Sequence, residues 1–292
     1  MHEVRRKVLI TGAQGMLGQD MAAEFAARGW EVRAVGHRDL DVTNLRAVRG
    51  AVAAYGPELV VNCAAYTNVD RAESEPALAM AVNALGPRNL ALACLDTGAA
   101  LLHISTDYVF SGEKEEPYAI WDPAAPVNVY GRSKLWGENY VRSLLPRHYV
   151  VRTSWLFGPG GRNFVRTLLS LGRQAAPLRV VADQWGCPTY TPDLAGACAD
   201  LAASGAYGIY HVTNQGPTTW YDFACAILAG AGLVGVPVQP VTASEYRRPA
   251  RRPRNSVLDP YPLAETIGHL LPPWPDALKR YLVRELAAAS ET

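Results

Sequence analysis

The chain has 292 residues, 49% of them hydrophobic and 19% charged, the proportions of a globular protein with a large core. Lysine and arginine number 28 against 27 acids, a formal net charge of +1, so no global field draws in nucleic acid or an anionic membrane. The apolar run at 8–10, behind a basic lead, is too short for a signal-peptide core, and no window reads as an unbroken bilayer span, which predicts a cytoplasmic protein without membrane or nucleic-acid partners.

Residues 7–11 read as an apolar strand, followed by a glycine-rich turn and a helix over 19–28 that Gly29 ends. A strand at 31–35, a helix at 45–55 and a strand at 59–62 follow. A helix at 79–95, a strand at 100–105, a helix at 134–144 and a strand at 148–153 continue the alternation. Strands apolar throughout and separated by helices predict a parallel sheet covered on both faces, and the right-handed crossover rule makes it doubly wound. Beyond about residue 155 the pattern loosens. A late strand at 207–212, a helix at 219–231 and a basic loop at 247–254 are the readable features. The expected fold class is α/β: a Rossmann domain over 1–152, with a returning segment near 190–212, and a smaller C-terminal α/β substrate domain over 153–292. The five scattered cysteines (Cys63, Cys94, Cys187, Cys198 and Cys225) form no Cys-x-x-Cys pair and read as reduced core residues.

Gly12, Gly15 and Gly18 stand directly after the first strand and open a helix. A chain that binds a dinucleotide there must turn tightly, admit a pyrophosphate to its backbone and pack the helix closely on the sheet. The free amides and dipole of the helix start favour the anion. Gln14, Met16 and Leu17 share this loop. An NAD-binding Rossmann domain carries an acid at the end of the second strand for the ribose 2′-hydroxyl. Here His37 and Arg38 occupy that place and suit a 2′-phosphate, favouring NADPH, while the adjacent Asp39 leaves NADH open. Asp41 and Val42 are candidates for the adenine, and Ala64, Ala65 and Tyr66 for the nicotinamide half.

Tyr130 and Lys134 are four residues apart, on one face if the segment is helical. A fixed cation lowers the phenol toward useful pKa, and the lysine can also hold the nicotinamide ribose. Thr106 ends a strand at the carboxyl edge, where its hydroxyl could bind the substrate oxygen. Thr106, Tyr130 and Lys134 are therefore the catalytic candidates. Arg247, Arg248, Arg251, Arg252 and Arg254 crowd one loop; guanidinium forks suit a pyrophosphate, and one or two facing a cleft would suffice.

These residues resemble the extended short-chain dehydrogenases. The runs at 61–75, 103–112, 152–157, 183–189, 219–223 and 251–256 are similar more specifically to the dTDP-4-dehydrorhamnose reductase family, over nearly the whole chain. The resemblance implies reduction of the 4-keto group of dTDP-4-dehydro-β-L-rhamnose, with hydride from the nicotinamide and a proton from Tyr130. It implies that Thr106 holds the developing alkoxide, that Lys134 poises the tyrosine, and that Asp107, Trp155 and Arg251 touch the sugar nucleotide. Some members carry Mg2+ at a homodimer contact, where Asp20 and Asp193 would stand, each shorter than the glutamate expected; the alternative is two helix-start or surface acids. Competing readings are a sugar-nucleotide dehydratase or epimerase, and a non-catalytic subunit like the β subunit of methionine adenosyltransferase. Tyr108 after Asp107, where a dehydratase wants a glutamate, argues for the reductase.

Overall fold

The computed structural model describes residues 6–174 and 177–290, so Met1–Arg5 of the basic lead lie outside the described residues. In chain order the elements are β1 (Lys7–Thr11), α1 (Met16–Ala27), β2 (Glu31–Val35), α2 (Leu45–Tyr55), β3 (Leu59–Asn62), α3 (Val69–Ala72), α4 (Pro76–Met80), α5 (Gly86–Thr97) and β4 (Ala100–Thr106). They continue as α6 (Val129–Leu144), β5 (His148–Thr153), β6 (Leu156–Phe157), α7 (Phe164–Gly172), β7 (Leu178–Val181), β8 (Trp185–Gly186), β9 (Thr189–Tyr190) and α8 (Thr191–Ser204). The last are β10 (Gly208–His211), β11 (Thr218–Thr219), α9 (Trp220–Gly230), β12 (Val238–Val241), α10 (Leu263–Ile267) and α11 (Trp274–Ser290).

Six strands form one parallel sheet in the order β10-β5-β4-β3-β1-β2. The chain runs from β1 outward to β2, then returns to place β3 on the other side of β1. The order therefore reverses between β1 and β3, and a crevice opens beyond their carboxyl ends. One face of the sheet packs Val8, Ile10, Leu102 and Val151 on α1 and α8. The other packs Leu9, Val60, Leu101 and Val150 on α2, α5 and α6. A third cluster, around Phe157, Phe223 and Tyr281, joins α7, α9 and α11. The expected Rossmann sheet is thus present.

Two departures from the sequence reading have local causes. The single helix expected over 79–95 begins at Pro76 and widens into a π turn at Ala81–Leu85 before α5. Pro87 has no N–H to offer the carbonyl of Asn83, and the widened turn absorbs the mismatch. The combined run Pro76–Thr97 is also long and apolar enough to cross a bilayer, contrary to expectation; more than half of it is buried in the fold, packed against α2 and α6. Between residues 155 and 205, α7 and α8 supply regular structure that the sequence reading left out, α8 because its periodicity is weak. All five cysteines are unpaired.

Candidate active site

The glycine loop sits at the reversal point of the sheet. Gly12 has φ +68°, and a Cβ there would lie 2.5 Å from the Ala64 backbone nitrogen, so the loop after β1 and the loop after β3 touch backbone to backbone. A Cβ on Gly18 would lie 2.3 Å from the Gly12 carbonyl, which fixes α1 tightly against the loop. Gly15 is the N-cap of α1 and no side chain caps that end, so the first-turn amides are available to an anion. Gln14 packs its amide against Gly36 and accepts through its carbonyl from Gln19. Leu17 is buried beneath the loop, and Met16 meets Asn163 through its sulfur.

At the end of β2, His37 and Arg38 are exposed. The Asp39 carboxylate accepts from the Gly36 amide at 2.8 Å and closes its own turn, which spends part of its capacity to receive a ribose hydroxyl. Asp41 is similarly engaged. One of its oxygens accepts from the backbone and hydroxyl of Thr43, and these bonds hold the carboxyl below its ordinary range. Val42 is buried against Gly86. Ala64, Ala65 and Tyr66 lie partly buried beside Gly12, and Asn83 fixes their backbone by receiving from the Tyr66 amide and donating to its carbonyl.

α6 opens five residues earlier than the sequence pattern showed, because the Asn128 side chain caps it by accepting from Gly131 at 2.7 Å. Tyr130 and Lys134 are therefore both helical. Gly131 and Gly137 let α6 approach: a Cβ at the first would lie 2.1 Å from the Tyr108 carbonyl, and at the second 2.2 Å from the Asn83 carbonyl. The Thr106 hydroxyl neighbours the Tyr130 phenol, donates to Asp107 at 3.0 Å and accepts from the Tyr108 amide. Lys134 is buried and donates to the Ile104 carbonyl at 2.6 Å.

The electrostatics correct one expectation. Burial pushes the Tyr130 phenol up to about 12 rather than down, and the neighbouring Thr106 hydroxyl only partly offsets it. Lys134 is itself pushed down to about 8 by burial. In this resting site the phenol holds its proton at neutral pH and is a weaker acid than a free tyrosine. Its proton therefore leaves only to a stronger base such as an alkoxide. Asp107 is also displaced: burial raises its carboxyl to about 7, against the hydrogen bond from Thr106.

Trp155 adopts φ +47°, unusual outside glycine, and stacks on Trp220 with centroids 3.6 Å apart. Gly186 is required beside it, since a Cβ would lie 2.5 Å from the indole. The arginine loop borders a cavity of about 720 Å3, lined also by Gly112, Asp183, Gln184 and Tyr246. Its five arginines are not equivalent. Arg252 and Arg248 are tied to Asp70, Arg252 through both carboxylate oxygens at 2.9 and 3.0 Å. Arg247, Arg251 and Arg254 keep exposed side chains in the cavity wall.

Of the two acids considered for Mg2+, Asp193 is already paired. Both Asp193 oxygens receive from Arg280, at 2.8 and 2.7 Å, and one also from Asn214, so a guanidinium already supplies the positive charge. Burial raises the Asp20 carboxyl, and its Oδ2 is buried without a hydrogen-bond partner. Among the described residues no three metal-ligating side chains gather in one place.

Several supporting residues escaped the sequence reading: Asn62, Asn83, Ser105, Glu138 and Arg152. Asn62 accepts from Thr11 at 2.8 Å and meets His103 at 3.0 Å, a polar rung across three strands that also receives the Ala64 amide. For Asn62, Ser105 and Arg152 the sequence signal was a polar residue near the end of an apolar strand; Asn83 and Glu138 lie in helical segments and carried none.

A profile of the family described as "RmlD substrate binding domain" matches residues 6–287. A dTDP-4-dehydrorhamnose reductase of Streptomyces griseus is 50% identical over 262 residues, 87% of this chain and 86% of that protein. A probable dTDP-4,6-dihydroxy-2-methyloxan-3-one 4-ketoreductase of Streptomyces antibioticus is 46% identical, covering 86% and 85%. The crystal structure of dTDP-4-dehydrorhamnose reductase from Bacillus anthracis str. Ames in complex with NADP superposes with a TM-score of 0.94 at 40% identity, over 96% of this chain and 100% of that one. This chain belongs to the RmlD substrate binding domain family.

Proposed function

We propose that this member of the family reduces the 4-keto group of dTDP-4-dehydro-β-L-rhamnose to give dTDP-L-rhamnose, using NADPH. The observation that carries the reading is the convergence of Thr106, Tyr130 and Lys134 at the carboxyl end of β4, beside a glycine loop at the reversal point of the sheet. We assign 1–152 and the returning segment near 190–212 to cofactor binding, and the rest of 153–292 mainly to the substrate.

When bound, the reduced nicotinamide supplies the hydride that becomes the new C4–H bond. Gly12, Gly15 and the first turn of α1, with Gln14, Met16 and Leu17, receive the pyrophosphate. His37 and Arg38 face the 2′-phosphate, and the engagement of Asp39 with Gly36 favours NADPH over NADH. Asp41 and Val42 border the adenine, and Ala64, Ala65 and Tyr66 the nicotinamide half. Thr106 donates to the ketone oxygen and steadies the charge that grows there. Tyr130 gives its phenolic proton to that oxygen, completing the alcohol. Lys134 holds the nicotinamide ribose, and its ammonium offsets the phenolate left behind.

Asp107 and Trp155 border the sugar. Arg251, with Arg247 and Arg254, meets the substrate pyrophosphate in the 720 Å3 cavity. No step in this reading uses a metal. The enzyme is assigned to the cytoplasm, and a homodimer, if formed, would not be held through Mg2+, because Arg280 occupies the acid that would bind it.

The test is the loss of absorbance at 340 nm when purified protein meets NADPH or NADH and freshly made keto-sugar nucleotide. Oxidation that tracks formation of dTDP-L-rhamnose supports the reading, and the rate ratio decides the cofactor. Tight nucleotide binding without oxidation would favour another keto-sugar nucleotide or a non-catalytic role.

A further inference from the structure

Glu138 has 0% of its surface exposed and Arg152 only 3%, yet both are ionisable groups in the interior of the fold. A buried carboxylate costs heavily unless it is paired and hydrogen-bonded, and here it is both. Ser105 and Arg152 are register partners on β4 and β5, and the same carboxylate receives from each: Ser105 at 2.5 Å, and Arg152 at 3.0 Å through Nε and 2.8 Å through Nη2. Arg152 is itself supported. Its Nη1 lies 3.4 Å from His211 Nε2, and its guanidinium lies 5.1 Å from the Phe110 ring centre.

The position of this pair is informative. Glu138 follows Lys134 by four residues and Tyr130 by eight on α6, so the three share one helix face. Ser105 immediately precedes Thr106 on β4. One carboxylate therefore ties the helix that carries Tyr130 and Lys134 to the strand that carries Thr106. A well-packed apolar pair would hold the same elements together at less desolvation cost. It would not supply negative charge one turn from a buried ammonium.

We propose that Glu138, clamped by Ser105 and Arg152, is a positioning residue of the reaction: it seats α6 on the end of β4 and supports Lys134 at its working depth. The inference rests on the assignment of Lys134 to the nicotinamide ribose. The titratable groups that face Lys134 are Glu138 and Tyr130 on α6, Cys63 after β3 and His103 on β4, with Arg152 of β5 behind Glu138. The Cys63 thiol, pushed up to about 12, and the His103 imidazole, pushed well down, are neutral at physiological pH, as is the Tyr130 phenol. Of these groups Glu138 is the anion, and its charge raises Lys134 against the larger lowering by burial.

The experiment compares the parent with Glu138→Gln and Glu138→Asp. It follows, against pH, both the NADPH dissociation constant from nicotinamide fluorescence and kcat/KM with the keto-sugar nucleotide. Glu138→Gln removes the anion and leaves the Arg152 cation, so the alkaline limb of both profiles moves down by about one pH unit. Glu138→Asp keeps the charge, so its limb stays with the parent while kcat falls. A purely structural role lowers kcat without moving either limb, and an unmoved limb in Glu138→Gln overturns the proposal. Should that single variant not fold, Glu138→Gln/Arg152→Met removes the unpaired buried cation, and its limb must still lie below the parent's. If the parent binds NADPH but does not turn over, the reductase reading falls, while the binding profile still decides the role of Glu138.

Discussion

Replacing Gly18 by alanine tests whether close packing of α1 on the glycine loop builds the cofactor site. Gly18 lies inside α1, so alanine costs nothing in backbone conformation and gains about 1 kcal/mol of helix propensity. Its new Cβ, however, would lie 2.3 Å from the Gly12 oxygen, 2.7 Å from the Ala13 Cα and 2.9 Å from the Gly12 carbonyl carbon. All three are backbone atoms, and no side-chain rotation relieves them. Favourable contacts begin near about 3.5 Å, so α1 must retreat by roughly 1 Å. Overpacking of this kind costs about 1–3 kcal/mol, leaving a net loss of about 0–2 kcal/mol. A displacement of that size in a positioning element is worth up to about 100-fold in function.

The expected result is NADPH affinity weakened about 10- to 100-fold in a fluorescence titration, with the melting temperature lowered by only a few degrees. Gly29→Ala is the control. Gly29 has φ +82° and no atom within 4 Å of a new Cβ, so alanine there strains the backbone by about 1–2 kcal/mol and leaves NADPH affinity unchanged. If Gly18→Ala bound NADPH like the parent while Gly29→Ala lost its expected stability, the packing of α1 would not be what forms the site.

Further outcomes follow from the same structure. With the Lys134 ammonium pushed down to about 8, kcat/KM should decline as pH rises through that value, and a profile flat to pH 9.5 would contradict the assignment. Tyr130→Phe should lower kcat by about 10²- to 10⁴-fold with NADPH affinity retained; full turnover would remove Tyr130 as proton donor. Asp107 holds its proton to about 7 when folded, whereas an unfolded carboxyl loses it near about 4, so the folded state binds more protons between these values and this residue's contribution to stability falls as pH rises. Asp107→Asn should therefore improve relative to the parent between pH 4 and 7 in urea melts, and parallel curves would refute the burial argument. Since Arg280 neutralises Asp193, EDTA should leave turnover unchanged, and a loss restored by Mg2+ would show that a metal displaces that guanidinium.

The alternating apolar strands, the glycine loop after β1 and the Tyr130–Lys134 spacing were readable because each is local: period, turn chemistry and helix spacing act within a dozen residues. They determined the Rossmann sheet and named the catalytic candidates. Beyond residue 155 the pattern failed because the strands there are as short as two residues, and α8 is buried over so much of its surface that it shows little amphipathic contrast. The start of α6 was missed because its cap, Asn128, precedes the apolar pattern. The direction of the Tyr130 shift needed the fold, since burial outweighed any nearby cation. The separation of Arg248 and Arg252 from their neighbours also waited on tertiary structure, because Asp70 lies 182 residues before the second of them. The clamp of Glu138 by Ser105 and Arg152 was equally unreadable. Single polar residues carry no periodic signal, and only the register of β4 beside β5 brings the two donors onto one carboxylate of α6.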